Sequence, residues 1–125
     1  MAQGFLQSFD RSLEVYSAGT EPAARINEKA VAVMKEVSID ISDHKPESVE
    51  KYLDEVWDYV ITVCDDAKET CPVFTGNVIH RLHMGFEDPS KATGTDEFIW
   101  SEFRRVRDLI QTEFRKLYEE NLKIR

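Results

Sequence analysis

Residues 57–72 read WDYVITVCDDAKETCP, and the reading of this stretch decides the fold. Residues 59–63, Tyr-Val-Ile-Thr-Val, are β-branched or aromatic throughout, the composition of a short buried strand. Cys64 follows at the carboxyl tip of that strand, where open α/β sheets place their reactive groups. A polar segment of helix-forming residues then leads to Cys71, and Pro72 limits how far a helix can run. Cys64 and Cys71 are the only two cysteines of the chain.

Working outward, residues 1–10 have the spacing of an amphipathic helix with Phe5, Leu6 and Phe9 on one side, and no capping residue precedes it. Residues 13–18 (LEVYSA) predict a strand, and Gly19-Thr20-Glu21-Pro22 a turn. Residues 27–37 predict a helix capped by Asn27, with Ala30, Val31, Met34 and Val37 inward. Residues 39–44 form a short extended connection, and 46–56 predict a further helix with Pro46 in its first turn and Val49, Leu53 and Val56 inward. Residues 77–83 (NVIHRLH) are the last strand, and 86–94 a loop of turn-forming residues. From Asp96 to about residue 122, Ile99, Phe103, Val106, Ile110, Phe114 and Leu117 make one apolar stripe, the mark of a long amphipathic helix. Three strands alternating with helices imply a parallel sheet with right-handed crossovers and helices on both faces.

At 125 residues the chain is one domain, 1–125, by length. A net charge of −8 argues against nucleic acid or an anionic membrane surface as the main partner. Neither a membrane-length apolar run nor a leader pattern is present, which places the chain in the cytosol. There a cysteine pair is redox-active, catalytic or metal-binding more often than a permanent staple.

Seven residues of helix would set the Cα atoms of Cys64 and Cys71 about 10 Å apart, whereas a disulfide needs them within about 7 Å. A bridge therefore requires the segment to unwind, which suits a switch better than a staple. Helical N–H groups after Cys64 would favour its thiolate, and Asp65 and Asp66 would oppose it. The alternative is two inert core thiols, and spacing alone does not choose between them. A zinc site with His80 and His83 is disfavoured, because those two lie three apart on a strand and point to opposite faces. Asp88, before Pro89 in the loop after the last strand, is either a general acid or the start of a turn. Ser17 and Thr20 offer hydroxyls near a strand end, and His44 has no partner visible in the sequence.

Taken together, EVYSAGTEPA, NEKAVAVMKEVSIDIS-x-H, DYVITVCDDAKETCPVF, HMGFEDPSKATG and FRRVRDLI, in this order, resemble the thioredoxin-coupled arsenate reductases of the low-molecular-weight protein tyrosine phosphatase superfamily. The resemblance implies a three-layer open parallel sheet with helices on both faces. It also implies a relay without a bound cofactor. A first cysteine in a C-x5-R-S loop attacks arsenate, Cys64 attacks the adduct and releases arsenite, and Cys71 takes over the disulfide for reduction by thioredoxin. Asp88 matches the family's general acid.

The chain departs from that pattern in one place: it has no C-x5-R-S, since Thr70 stands six beyond Cys64 and Asn77 six beyond Cys71. The expectation is that the first strand and its phosphate-binding loop are absent, by truncation or by natural loss. The 125 residues would then be inactive alone and open to self-association through unpaired strand edges. Two other readings stay open, a non-catalytic module that exchanges disulfides with thioredoxin and a phosphatase-like hydrolase.

Overall fold

The computed structural model describes residues 1–19, 25–64 and 74–123. Its elements are helix α1 (Ala2–Phe9), helix α2 (Glu28–Lys35), strand β1 (Val56–Thr62), strand β2 (Asn77–His83) and helix α3 (Asp96–Leu117). Single 3-10 turns at Val49–Tyr52 and Pro89–Lys91 and a π turn at Tyr118–Leu122 complete them. The fold is an open parallel sheet with helices packed on it.

Helix α3 is the spine. Thr95 caps it by accepting from Phe98 N at 3.2 Å, just after Gly94 turns the chain at φ 124°. Its stripe is buried as the spacing demands: Phe103, Val106, Ile110, Phe114 and Leu117 all face inward. Each such side chain contributes about 1.5–3 kcal/mol on leaving water. Opposite them lie Phe5 and Leu6 of α1, Val33 and Met34 of α2, and Ile41. Asn27 caps α2, its side chain accepting from Lys29 N at 2.9 Å and Ala30 N at 3.2 Å. One charged group enters this core. Arg107 donates to Val33 O at 2.9 Å, to Glu36 Oε1 at 2.8 Å and to Asp108 Oδ1 at 2.9 Å, and so ties α3 to α2.

Strands β1 and β2 pair in parallel, with Val56 opposite Asn77 and Thr62 opposite His83. The sheet meets the core through Ile61 and Leu82.

Two expected elements are not there. Residues 13–18 form no strand: Leu13 and Val15 turn toward the core, but the segment has no strand partner among the described residues and touches the sheet pattern only at a single parallel bridge, Gly19 to Ser48. The strands among the described residues therefore number two rather than three. Residues 46–56 are likewise not a helix. Gly19 N donates to Glu47 O at 2.9 Å and Val49 N to Gly19 O at 3.0 Å, which holds 47–49 extended. Ser48 then caps one short turn that begins after Pro46, and Val56 goes to the strand, 69% exposed.

Candidate functional site

Strand β1 ends at Thr62 and leaves Cys64 half-buried two residues beyond its carboxyl end. Met84 N donates to Thr62 O at 2.8 Å and Phe86 N to Val63 O at 3.0 Å. These two bonds carry the pairing past the strand ends and draw the loop bearing Asp88 alongside the segment bearing Cys64. Sheet pairing thus brings two of the three sequence-derived site residues to one edge. The third, Cys71, lies outside the described residues. Cys64 is disulfide-bonded, and the described residues contain no free cysteine.

Asp88 has a defined structural task. Its Oδ1 accepts from Ser90 N at 2.9 Å and from Ser90 Oγ at 2.6 Å, capping the turn at Pro89–Lys91. The turn-initiating reading is therefore met, and the exposed carboxylate keeps Oδ2 for another donor.

The histidines separate as their spacing requires. His80 stacks on Tyr59 with ring centroids 4.7 Å apart. His83 holds Thr62 Oγ1 through Nδ1 at 2.7 Å, at the carboxyl edge two residues before Cys64. No group of three metal-ligating side chains occurs among the described residues. His83 was weighed in sequence only as a metal ligand. Its place beside Thr62 depends on the strand register, which no local pattern reveals.

Next to this edge a depression of about 370 Å³ is lined by His83, Phe86, Glu87, Arg105, Val106 and Leu109. Arg105 donates to Glu87 Oε2 at 3.0 Å, so α3 supplies a cation to the loop between β2 and the Asp88 turn. Its guanidinium is held above the usual range, first by the hydrogen bond to Glu102. Arg105 belongs to the quoted FRRVRDLI run, but sequence gave it no site role.

The remaining candidates lie elsewhere. Ser17 Oγ donates to Gln3 Oε1 at 2.7 Å, and Thr20 is outside the described residues. His44 is lowered from its ordinary pKa, first by burial and then by the nearby amino terminus. No helix among the described residues is long and apolar enough to cross a membrane.

Chemically, the edge presents a sulfur already in a disulfide, a carboxylate on a capped turn and an imidazole paired with a hydroxyl. That set suits thiol–disulfide exchange, in which a thiolate attacks one sulfur and the other leaves.

Comparison with known proteins adds three findings. Residues 1–124 match the family model of the low molecular weight phosphotyrosine protein phosphatases. The chain is 44% identical over 111 residues to an arsenate reductase of Halalkalibacterium halodurans, covering 88% of this chain and 78% of that protein. It is 40% identical over 120 residues to the arsenate reductase of Bacillus subtilis, covering 95% and 85%. Among solved structures, an arsenate reductase in the phosphate binding state superposes with a TM-score of 0.76 at 26% identity, over 95% of this chain and 86% of that one.

Proposed function

We propose, from the premise that this chain belongs to the low molecular weight phosphotyrosine protein phosphatase family, that it serves arsenate reduction, with Cys64 and Cys71 as relay thiols. The observation that carries the reading is a disulfide-bonded Cys64 at the carboxyl end of β1, in a chain whose relatives at 44% identity are arsenate reductases.

In this reading the thiol that pairs with Cys64 is Cys71, the other cysteine in the 125 residues. In the relay, a first thiolate attacks arsenic and expels an oxygen. The Cys64 thiolate then attacks the sulfur of the adduct. The S–As bond breaks with its electron pair going to arsenic, so arsenate becomes arsenite and the two sulfurs are left as a disulfide. The Cys71 thiolate next attacks Cys64, releases the first sulfur as a thiolate and forms the Cys64–Cys71 bond. A thioredoxin dithiol returns the two electrons and leaves oxidised. Asp88 serves as the acid that protonates the departing oxygen. The reducing cytosol is the compartment in which such a pair cycles.

Neither cysteine is followed six positions on by an arginine. The first thiolate and its anion cradle therefore come from outside these 125 residues, and this polypeptide alone performs only the last exchange.

The test is the oxidised chain mixed with thioredoxin, thioredoxin reductase and NADPH. The expected result is a burst of one NADPH per chain, unchanged by arsenate and absent in Cys64→Ser. Sustained arsenate-dependent NADPH oxidation would overturn the assignment of the first thiol to another segment. Absence of any burst would overturn the relay pair.

A further inference from the structure

Strand β2 carries a guanidinium that grips the backbone on the strand's own approach. Arg81 lies opposite Val60 in the register. Its Nη1 donates to Phe74 O, and its Nη2 donates to Gly76 O at 3.1 Å. A planar fork reaches two such carbonyls at once, where an ammonium reaches one at a time. The gripped backbone is also crowded. A Cβ at Gly76 would stand 2.9 Å from Leu53 O and 2.6 Å from the Phe74 ring. Residues 74–76 are thus held by packing as well as by the fork.

This grip lies close to the thiol pair at both ends of the sequence between them. Cys64 stands four positions after Val60, and Cys71 three positions before Phe74. On the Cys64 side, the bonds from Met84 N to Thr62 O and from Phe86 N to Val63 O fix the backbone to within one residue of the sulfur. On the Cys71 side, the first carbonyl held by Arg81 comes after about 10 Å of extended chain. Helical spacing and disulfide spacing of the pair differ by about 3 Å. A displacement of that size at Cys71 has three residues in which to be absorbed before it reaches the fork.

We infer, on the reading that Cys71 is the sulfur bonded to Cys64, that Arg81 is a positioning residue of the pair: its fork holds the chain after Cys71 where the disulfide needs it and so favours the oxidised form. The fork is made in the structure in which Cys64 is disulfide-bonded. A contact better made in one of two states shifts the balance toward that state, which here makes the bond harder to reduce. Without the fork, the unheld run after Cys64 lengthens from 65–73 to 65–76. Closure entropy alone then changes the equilibrium about 1.5-fold. Two charge-assisted hydrogen bonds contribute more than that.

The test equilibrates the full chain in buffers of reduced and oxidised dithiothreitol, then traps the thiols and counts them by mass. Each reduction breaks the Cys64–Cys71 bond, closes the ring disulfide of dithiothreitol and leaves two electrons and two protons on the chain. In Arg81→Met the equilibrium should move about fivefold toward the dithiol. Arg81→Lys should fall between that variant and the parent. It keeps the charge and most of the stem, so it reads the fork even where Arg81→Met does not fold. Urea melts should show Arg81→Met weakening the oxidised chain more than the reduced one. A shift no larger than the about 1.5-fold of loop length, a shift toward the disulfide, or equal weakening of both forms would overturn the positioning role and leave the relay pair standing. Arg81→Lys at the parent's equilibrium would overturn it as well, because charge rather than the fork would then be at work. A parent whose oxidised form carries no Cys64–Cys71 bond would sink both readings.

Discussion

At the scale of single residues, the turn cap that Asp88 makes and the acid role proposed for it separate by mutation. Asparagine at 88 keeps an oxygen for Ser90 N, so Asp88→Asn preserves the turn and removes the proton. Asp88→Ala removes both, at a cost of no more than about 1 kcal/mol. Urea melts are expected to leave Asp88→Asn within error of the parent. In a system supplied with the first thiol, arsenate turnover should fall in both variants. Tyr52 offers a pH test. Burial first, and then its hydrogen bond to Glu47, push its phenol up from 10.0 to about 12. Below pH 10 both folded and unfolded chains hold that proton, so Tyr52 adds no pH dependence. Between pH 10 and about 12 the unfolded chain releases it first, and stability falls as pH rises. Tyr52→Phe should flatten this part of the Tm-against-pH curve. A curve unchanged by the substitution would sink the assignment. Arg107 is the third case. Arg107→Ala leaves Val33 O without its donor inside the core and should cost about 2–3 kcal/mol in urea melts.

At the scale of elements, α1 shows packing overruling propensity. Gly4 is fully surrounded: a Cβ there would stand 2.7 Å from Ile41 Cγ2, 3.2 Å from Ile39 Cγ2 and 3.3 Å from Met34 Cε. Alanine is the better helix former by about 1 kcal/mol, yet Ile41 is branched and fully buried and has nowhere to go. Gly4→Ala should therefore destabilise by about 1–3 kcal/mol, and a rise in Tm would refute the crowding. The same contrast explains what the sequence made legible. The long stripe of α3 and the Asn27 cap of α2 are local signals, and each element formed where its signal lay. Residues 13–18 have a strand's composition, but a strand also needs a neighbour, and that is not a local property. Residues 46–56 have helical spacing at Val49, Leu53 and Val56, but the bonds from Gly19 to 47 and 49 come from nearly thirty positions away. At the site, Cys64 and Asp88 were legible because strand ends and Asp-Pro turns are local. His83 and Arg105 were not, because register and helix docking place them.

At the scale of the whole molecule, burial is modest. An unfolded chain of 14.5 kDa exposes about 21,000 Å². Folding to 8547 Å² therefore buries about 59% of it, the share of a domain of about 60 residues rather than of one twice that size. The urea m-value scales with area exposed and should fall in the lower half of the usual range of about 1–3 kcal/mol per M. An m-value above that half would mean a more compact native state than the one described. The core is built mainly from the three helices around α3, and Ile61 and Leu82 pack the two strands against it.

The two tryptophans sit in unlike surroundings, and this makes the molecule its own optical gauge. Trp57 lies against Tyr16 and Tyr52, with its indole N–H donating to Tyr52 O at 2.8 Å. Trp100 is flanked on α3 by Lys29 at 5.4 Å and Arg104 at 5.6 Å, cations that perturb an excited indole. One chromophore therefore watches the amino-terminal end of β1 and the other the α2–α3 surface. An emission change confined to Trp57 reports an event at the sheet, and a joint change reports unfolding. Single replacement of each indole by phenylalanine assigns the two signals without any added label.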